Sequence, residues 1–197
     1  PLVKKYGGTV IALTIDEEGI PTTAEGRLAV AKKIVETAAT YGIPKKDLVV
    51  DVLAMTISAE QEAAEVTLKS LELIRDELGM YTSLGVSNIS FGLPQRENVN
   101  TAFFTMAMQN GLSGAIINPN SKPMMAAYYS YCALIGVDEQ CMDYISVYAN
   151  QSSPTAAPQT TANQMSLTEA IIKGLKESAH SLATEAIQTK APLDIIN

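Results

Sequence analysis

The chain has 197 residues, of which 47% are hydrophobic and 18% charged, so it can bury the core of one to one and a half domains. No apolar run approaches the roughly 18 residues of a membrane-spanning helix, and the opening Pro1-Leu2-Val3-Lys4-Lys5-Tyr6 holds no signal-peptide core. A net charge of −7 argues against a nucleic-acid partner, because phosphate binding needs clustered Lys and Arg.

The chain opens at Pro1 without an initiator Met, as an excised piece of a longer protein would. Thr9-Val10-Ile11-Ala12-Leu13-Thr14 is a β-branched apolar run and predicts a strand buried on both faces. Asp16 to Pro21 form a loop. Thr22 or Thr23 then caps a helix running to about Tyr41, with Leu28, Ala31, Ile34, Val35 and Ala38 on its apolar stripe. Gly42 ends that helix, and Pro44 prevents its continuation.

Leu48 to Val52 predict a second buried strand, and Asp51 is its anomaly. A carboxylate in such a run is costly unless it is paired or faces a polar cavity. Ser58, with Gln61 at capping-box spacing, predicts the start of a helix that stops at Gly79. The third strand, Tyr81 to Val86, breaks into Ser87-Asn88-Ile89-Ser90-Phe91-Gly92-Leu93-Pro94-Gln95-Arg96. Polar residues delivered at the C-terminal end of a buried strand stand where α/β proteins place their chemistry. A helix follows over about 97–110, with Phe103, Phe104, Met106 and Ala107 inward. Gly114 to Pro119 predict a fourth strand ending near Asn118. Met124 to Ile135 predict a fourth helix, with Pro123 in its first turn.

Four strands alternating with four helices predict an α/β fold with a parallel sheet. No G-x-G-x-x-G and no Walker A loop follows any strand, which disfavours dinucleotide and nucleoside-triphosphate folds. A (β/α) barrel takes eight units and about 250 residues. About four units here predict half of such a barrel or a small open sheet. This first domain spans 1–149. A flexible linker rich in Ser, Thr, Pro, Ala, Gln and Asn follows over 150–166. The tail, 167–197, predicts one amphipathic helix capped by Ser166 and running to about Thr189. Pro192 to Asn197 look like the start of another helix. His180, the single histidine, falls on the tail helix as a surface or packing residue. Cys132 and Cys141 read as reduced thiols of a cytoplasmic protein, and nothing near them completes a metal site.

Three blocks carry a resemblance. They are Leu13-Thr14-Ile15-Asp16-Glu17-Glu18-Gly19-Ile20-Pro21 with Ala24-Glu25-Gly26-Arg27, then Asp51 on its strand, then Gly85-Val86-Ser87-Asn88-Ile89-Ser90-Phe91. Together they resemble the pterin-binding methyltransferase family, which includes the folate domain of cobalamin-dependent methionine synthase and the methyltetrahydrofolate:corrinoid methyltransferases. The tail is similar to the first helix of the cap that precedes a cobalamin-binding domain.

The resemblance implies a TIM barrel that binds methyltetrahydrofolate at its C-terminal mouth. It implies that the methyl passes to cob(I)alamin held by another domain or protein. This chain would supply the C-terminal half of that barrel. A family Asp and Asn from the earlier strands have no position here, and the cobalamin-ligating D-x-H-x-x-G loop is absent. On the same basis Asp51 accepts hydrogen bonds from the amino-pyrimidine edge of the pterin. Asn88 is the catalytic residue, stabilising the protonated ring nitrogen as the methyl leaves. Gly85 and Ser87 let the backbone approach the ligand, and Arg96 and Asn118 complete the binding set.

Each residue also has a plainer reading: Asp51 as a helix cap or ion-pair partner, Asn88 and Asn118 as turn residues, Arg96 as a surface charge. A dihydropteroate-synthase-like enzyme shares the pterin barrel, but the Ser87-Asn88 pair has no neighbouring Lys. A non-catalytic half-barrel module is the alternative from another class. Half a barrel exposes two sheet edges, which a homodimer closing the barrel would cover.

Overall fold

The computed structural model describes residues 2–149, 166–172, 174 and 176–188. The chain divides into two units, Pro1–Gln151 and Ser152–Asn197.

In the first unit a short helix α1 (Leu2–Tyr6) precedes β1 (Val10–Leu13) and α2 (Ala24–Thr40). Next come β2 (Leu48–Asp51), α3 (Ala63–Leu73) with a π-helical turn over Ile74–Leu78, and β3 (Tyr81–Gly85). A 3-10 turn over Val86–Ser90 leads to α4 (Arg96–Gln109), β4 (Gly114–Ile116), α5 (Lys122–Leu134) and α6 (Met142–Tyr148). The sequence reading has no counterpart to α1 and α6.

The strands pair in parallel in the order β1-β2-β3-β4, with Leu13 opposite Asp51, Asp51 opposite Ser83, and Gly85 opposite Ile116. Successive side chains on a strand point to opposite faces. Leu48, Val50 and Leu84 on one face pack with Leu28 and Ala31 of α2, Leu68 and Leu71 of α3, Phe103, Phe104 and Ala107 of α4, and Met124 of α5. All four long helices therefore cover one face. Sequential order with helices on a single face is single winding, the arrangement of a TIM-type barrel rather than of a doubly wound sheet. The fold is α/β, a parallel four-stranded segment of such a barrel.

The other face is uncovered. Ile11, Leu13, Tyr81 and Ile116 are 54%, 47%, 62% and 64% exposed. Strand β1, read from its apolar run as buried on both faces, is buried on one. Apolarity on both sides of a strand does not report whether both layers are present. Met106 is likewise exposed, while Phe103, Phe104 and Ala107 are buried.

Helix boundaries follow local chemistry. Thr23 Oγ1 accepts from Gly26 N–H (3.1 Å) and caps α2. Ser121 caps α5, with Pro123 in its first turn. The predicted capping box at Ser58 does not form. Helix α3 begins five residues later, after an N-cap Glu62 with no side-chain cap bond, because the Ser58 hydroxyl donates to the Phe91 carbonyl instead. Gly79, at φ +60°, ends the π-helical turn in the left-handed conformation that glycine accepts freely.

In the second unit, α7 (Leu167–Ile172) and α8 (Lys176–Ile187) replace the single helix read from sequence. Gly174, at φ +68°, stands between them. Ser166 and Glu169 form a reciprocal capping box, with N–H to Oε2 at 3.0 Å and N–H to Oγ at 3.2 Å. Leu175, the linker expectation over 150–165 and the final-helix expectation over 192–197 lie outside the described residues.

Candidate functional site

The C-terminal ends of the strands share one end of the sheet, so Asp51, the turn after Gly85 and the segment after Ile116 are delivered together. Asp51 is 9% exposed. Its Oδ1 accepts from Leu53 N–H at 2.9 Å. Among the described residues Oδ2 has no protein donor, and no cation lies within ion-pair distance of the carboxylate. Burial pushes the Asp51 carboxyl above the ordinary carboxylate range, and the Leu53 N–H pulls weakly the other way. The helix-cap and ion-pair readings of Asp51 therefore fail. Asp51 is a buried carboxylate with one oxygen held by the Leu53 N–H and no protein partner for the other among the described residues.

Asn88 lies exposed on the 3-10 turn over Val86–Ser90. Its amide folds back over Gly85, where an added Cβ would meet Nδ2 at 3.3 Å. Gly85 thus makes room for the Asn88 side chain, at an ordinary negative φ of −77°. The turn is braced from two sides. Arg96 donates from Nη2 to the Ser87 carbonyl (2.7 Å) and from Nε to Ser90 Oγ (3.0 Å), with its guanidinium 5.5 Å above the Phe91 ring. Thr56 and Ser58 Oγ atoms each donate to the Phe91 carbonyl at 2.8 Å, and Ile57 N–H donates to the Ile89 carbonyl at 3.0 Å. The loop after β2 is thereby laced to the turn after β3.

Asn118, two residues beyond β4, is exposed. Its Oδ1 accepts from Asn120 N–H at 3.0 Å, and its carbonyl accepts from Ser121 N–H at 3.1 Å. That is an Asx turn leading into α5. The geometry gives Asn118 a turn role and Arg96 a bracing role, whereas Asp51 Oδ2 and the Asn88 amide have no hydrogen-bond partner among the described residues.

The sequence reading missed the lacing residues Thr56 and Ser58, the left-handed Leu53 at φ +63°, and the burial of Arg27. Arg27 did leave a signal. It falls between Ala24 and Ala31, both buried, on the apolar stripe of α2. Charge on such a stripe marks an internal partner. Among the described residues, no group of three His, Cys, Asp or Glu could hold a metal, and no helix is long and apolar enough to cross a membrane.

Comparison with known proteins places this geometry in context. The chain is 33% identical over 140 residues to the methylcorrinoid:tetrahydrofolate methyltransferase of Eubacterium limosum, covering 71% of this chain and 52% of that protein. Its whole length aligns at 26% identity with the methionine synthase of Mycobacterium tuberculosis and at 27% with that of Mycobacterium leprae, covering 18% of each. The chain thus spans about half the length of the first relative and less than a fifth of the other two. The family model described as pterin binding enzyme matches residues 1–118, the stretch holding Asp51, Gly85, Ser87, Asn88, Arg96 and Asn118. Through this match and a singly wound parallel sheet with its polar residues at the strand ends, the chain belongs to the pterin-binding enzyme family.

Proposed function

We propose that this chain supplies a pterin site for methyl transfer between methyltetrahydrofolate and a corrinoid carried by another domain or protein. The observation that carries the reading is the Asp51 carboxylate, buried, without a cation and with Oδ2 open. An amino-pyrimidine edge offers parallel N–H donors, which a carboxylate accepts directionally. The donor set therefore fits a pterin. The name of the Eubacterium limosum relative, a methylcorrinoid:tetrahydrofolate methyltransferase, supplies the reaction class. The direction proposed is from methyltetrahydrofolate to cob(I)alamin.

A methyl on a ring nitrogen has a poor leaving group until that nitrogen is protonated. Asn88 has no useful pKa, so its amide orients and stabilises the protonated nitrogen while water or a hydrogen-bond network supplies the proton. Ser87 and Gly85 shape the approach to that amide, Arg96 braces it from behind, and Asn118 borders the same mouth. Cobalamin, when carried to the mouth, supplies the methyl-accepting centre. The single histidine of this chain lies on α8, and the reading gives it no part in holding cobalamin. Cytoplasmic placement belongs to the same reading, and Cys132 and Cys141 are both free thiols.

A single-turnover transfer assay with a cobalamin-carrying domain tests the reaction. Asn88→Ala is expected to slow transfer roughly a hundredfold, the scale on which one preorganised donor acts in a transition state, while binding of methyltetrahydrofolate changes much less. Equal rates for parent and variant would remove Asn88 from the chemistry.

The uncovered sheet face favours a second reading, that of an assembly module. Strands β1 and β4 each pair on one side only among the described residues, and Ile11, Leu13, Tyr81 and Ile116 stand exposed beside them. A second copy of this chain closing the barrel would cover both.

A further inference from the structure

Arg27 is buried at 1% exposure and has no carboxylate within ion-pair distance among the described residues. An unpaired guanidinium in a protein interior persists only when its hydrogen bonds are satisfied. Those bonds go to neutral acceptors on three segments. Nε donates to the Pro21 carbonyl in the loop after β1 (3.1 Å). Nη1 donates to the carbonyls of Val52 (2.9 Å) and Leu53 (2.7 Å) in the loop after β2, and to Thr67 Oγ1 on α3 (3.3 Å).

The shortest of these bonds ends on Leu53, the left-handed residue. A leucine in that region is sterically strained, because its Cβ crowds the neighbouring carbonyl oxygen. Its two backbone groups are both held. The carbonyl accepts from Arg27 Nη1 at 2.7 Å and, at a longer 3.4 Å, from Thr67 Oγ1, and the N–H donates to Asp51 Oδ1 at 2.9 Å. Were Leu53 to relax to negative φ, its amide and carbonyl could not keep both partners, and the bond to Asp51 would be the exposed end of the linkage.

We propose that Arg27 is a positioning residue for the Asp51 carboxylate: by clamping the Leu53 carbonyl it holds Leu53 left-handed, keeps the Leu53 N–H on Oδ1, and leaves Oδ2 directed to the ligand. The inference rests on the pterin reading of Asp51 for its function, but the clamp itself is a property of the loop. It assigns to the Ala24-Glu25-Gly26-Arg27 block a role in a site that none of its own side chains enters. The same bonds tie the loops after β1 and β2 into one support.

The test uses the full chain, isotope-labelled, in five forms: parent, Asp51→Ala, Arg27→Lys, Leu53→Gly and the Arg27→Lys/Leu53→Gly double variant. Lysine keeps the charge but loses the planar fork that reaches several carbonyls together. Glycine accepts φ +63° without strain, so it removes the need for the clamp. The amide proton at position 53 is expected downfield and protected from exchange in the parent, and in neither Asp51→Ala nor Arg27→Lys. Arg27→Lys should weaken methyltetrahydrofolate binding roughly tenfold, a change of about 1.4 kcal/mol. Adding Leu53→Gly should recover most of that loss, the coupling expected of residues acting through one another.

A position-53 amide in the parent that is unaffected by Asp51→Ala would overturn the clamp without any Arg27 variant. So would a folded Arg27→Lys chain that binds as the parent does, or a loss that Leu53→Gly leaves untouched. If the parent binds no pterin, the functional reading fails, while the amide measurements still decide the clamp.

Discussion

The Asp51 carboxylate is held against its own solvation. Burial raises its pKa, so the folded state favours the protonated form, and ionisation costs folding free energy. The sign follows directly. The penalty is absent below the ordinary carboxylate range and fully present once pH rises through the raised folded-state value. Asp51→Asn keeps an oxygen for the Leu53 N–H and carries no charge. The variant should therefore melt higher than the parent near neutral pH, and the gap should close as pH falls through the carboxylate range. It should also lose pterin affinity, because with its oxygen on the Leu53 N–H the amide turns its NH2, a donor, toward an edge of donors. Thermal melts across pH check the first claim and titration checks the second. An equal or lower melting temperature at neutral pH would show that Asp51 is structurally paired after all. Gly85 makes a second prediction at this scale. A methyl there sits 3.3 Å from Asn88 Nδ2, tight enough that the amide must move. Gly85→Ala should leave the melting temperature nearly unchanged, since φ is ordinary, yet lower the transfer rate by about tenfold, close to 1.4 kcal/mol.

The 3-10 turn over Val86–Ser90 is the element that connects fold to site. Three of its five residues, Val86, Ile89 and Ser90, are buried, and bonds from outside the turn fix it further. Arg96 holds it from α4, and Thr56 with Ser58 from the loop after β2. Each bond from the Thr56 and Ser58 hydroxyls is worth about 0.5–1.5 kcal/mol, and those from the charged Arg96 guanidinium about 1.5–3 kcal/mol at most. Hydrogen exchange should show the turn opening faster in Arg96→Ala, with β3 itself unaffected, because the loss falls on local rather than global stability. Uniform acceleration through β3 would contradict a local brace. The strands, their C-terminal polar residues and the helix stops were legible as sequence, since apolar runs and glycine punctuation are local signals. The lacing was not. Its acceptors are backbone carbonyls, which have no residue identity, and its donors, Thr56 and Ser58, look like helix-start residues. Ser58, with Gln61 three residues on, carries a capping-box pattern for that reason.

For the whole molecule, the alternation of strands and helices indicated a parallel sheet but left open whether it belonged to a barrel or an open sheet. The distinction rests on which face each helix covers, a property of strand register and crossover hand that no single run of residues encodes. The same limit applies to β1, whose apolar Ile11 and Leu13 cannot report whether the layer they should contact exists. Asp51 and Asn88 were legible because a carboxylate in an apolar run and an Asn at a strand end both break a pattern. Their division of labour from Arg96 and Asn118 came from hydrogen bonds. If a second copy covers the uncovered face, the chain should sediment as a dimer and Leu13→Glu should return it to a monomer, by burying a charge in the new interface. A monomer at high concentration would set that reading aside.

The most direct test of the central claim is calorimetric titration of the chain with methyltetrahydrofolate beside Asp51→Ala. The account predicts saturable heat from the parent and none from the variant, with both folded. Binding that survives Asp51→Ala, or a folded parent that gives no heat, would contradict a pterin site built on that carboxylate.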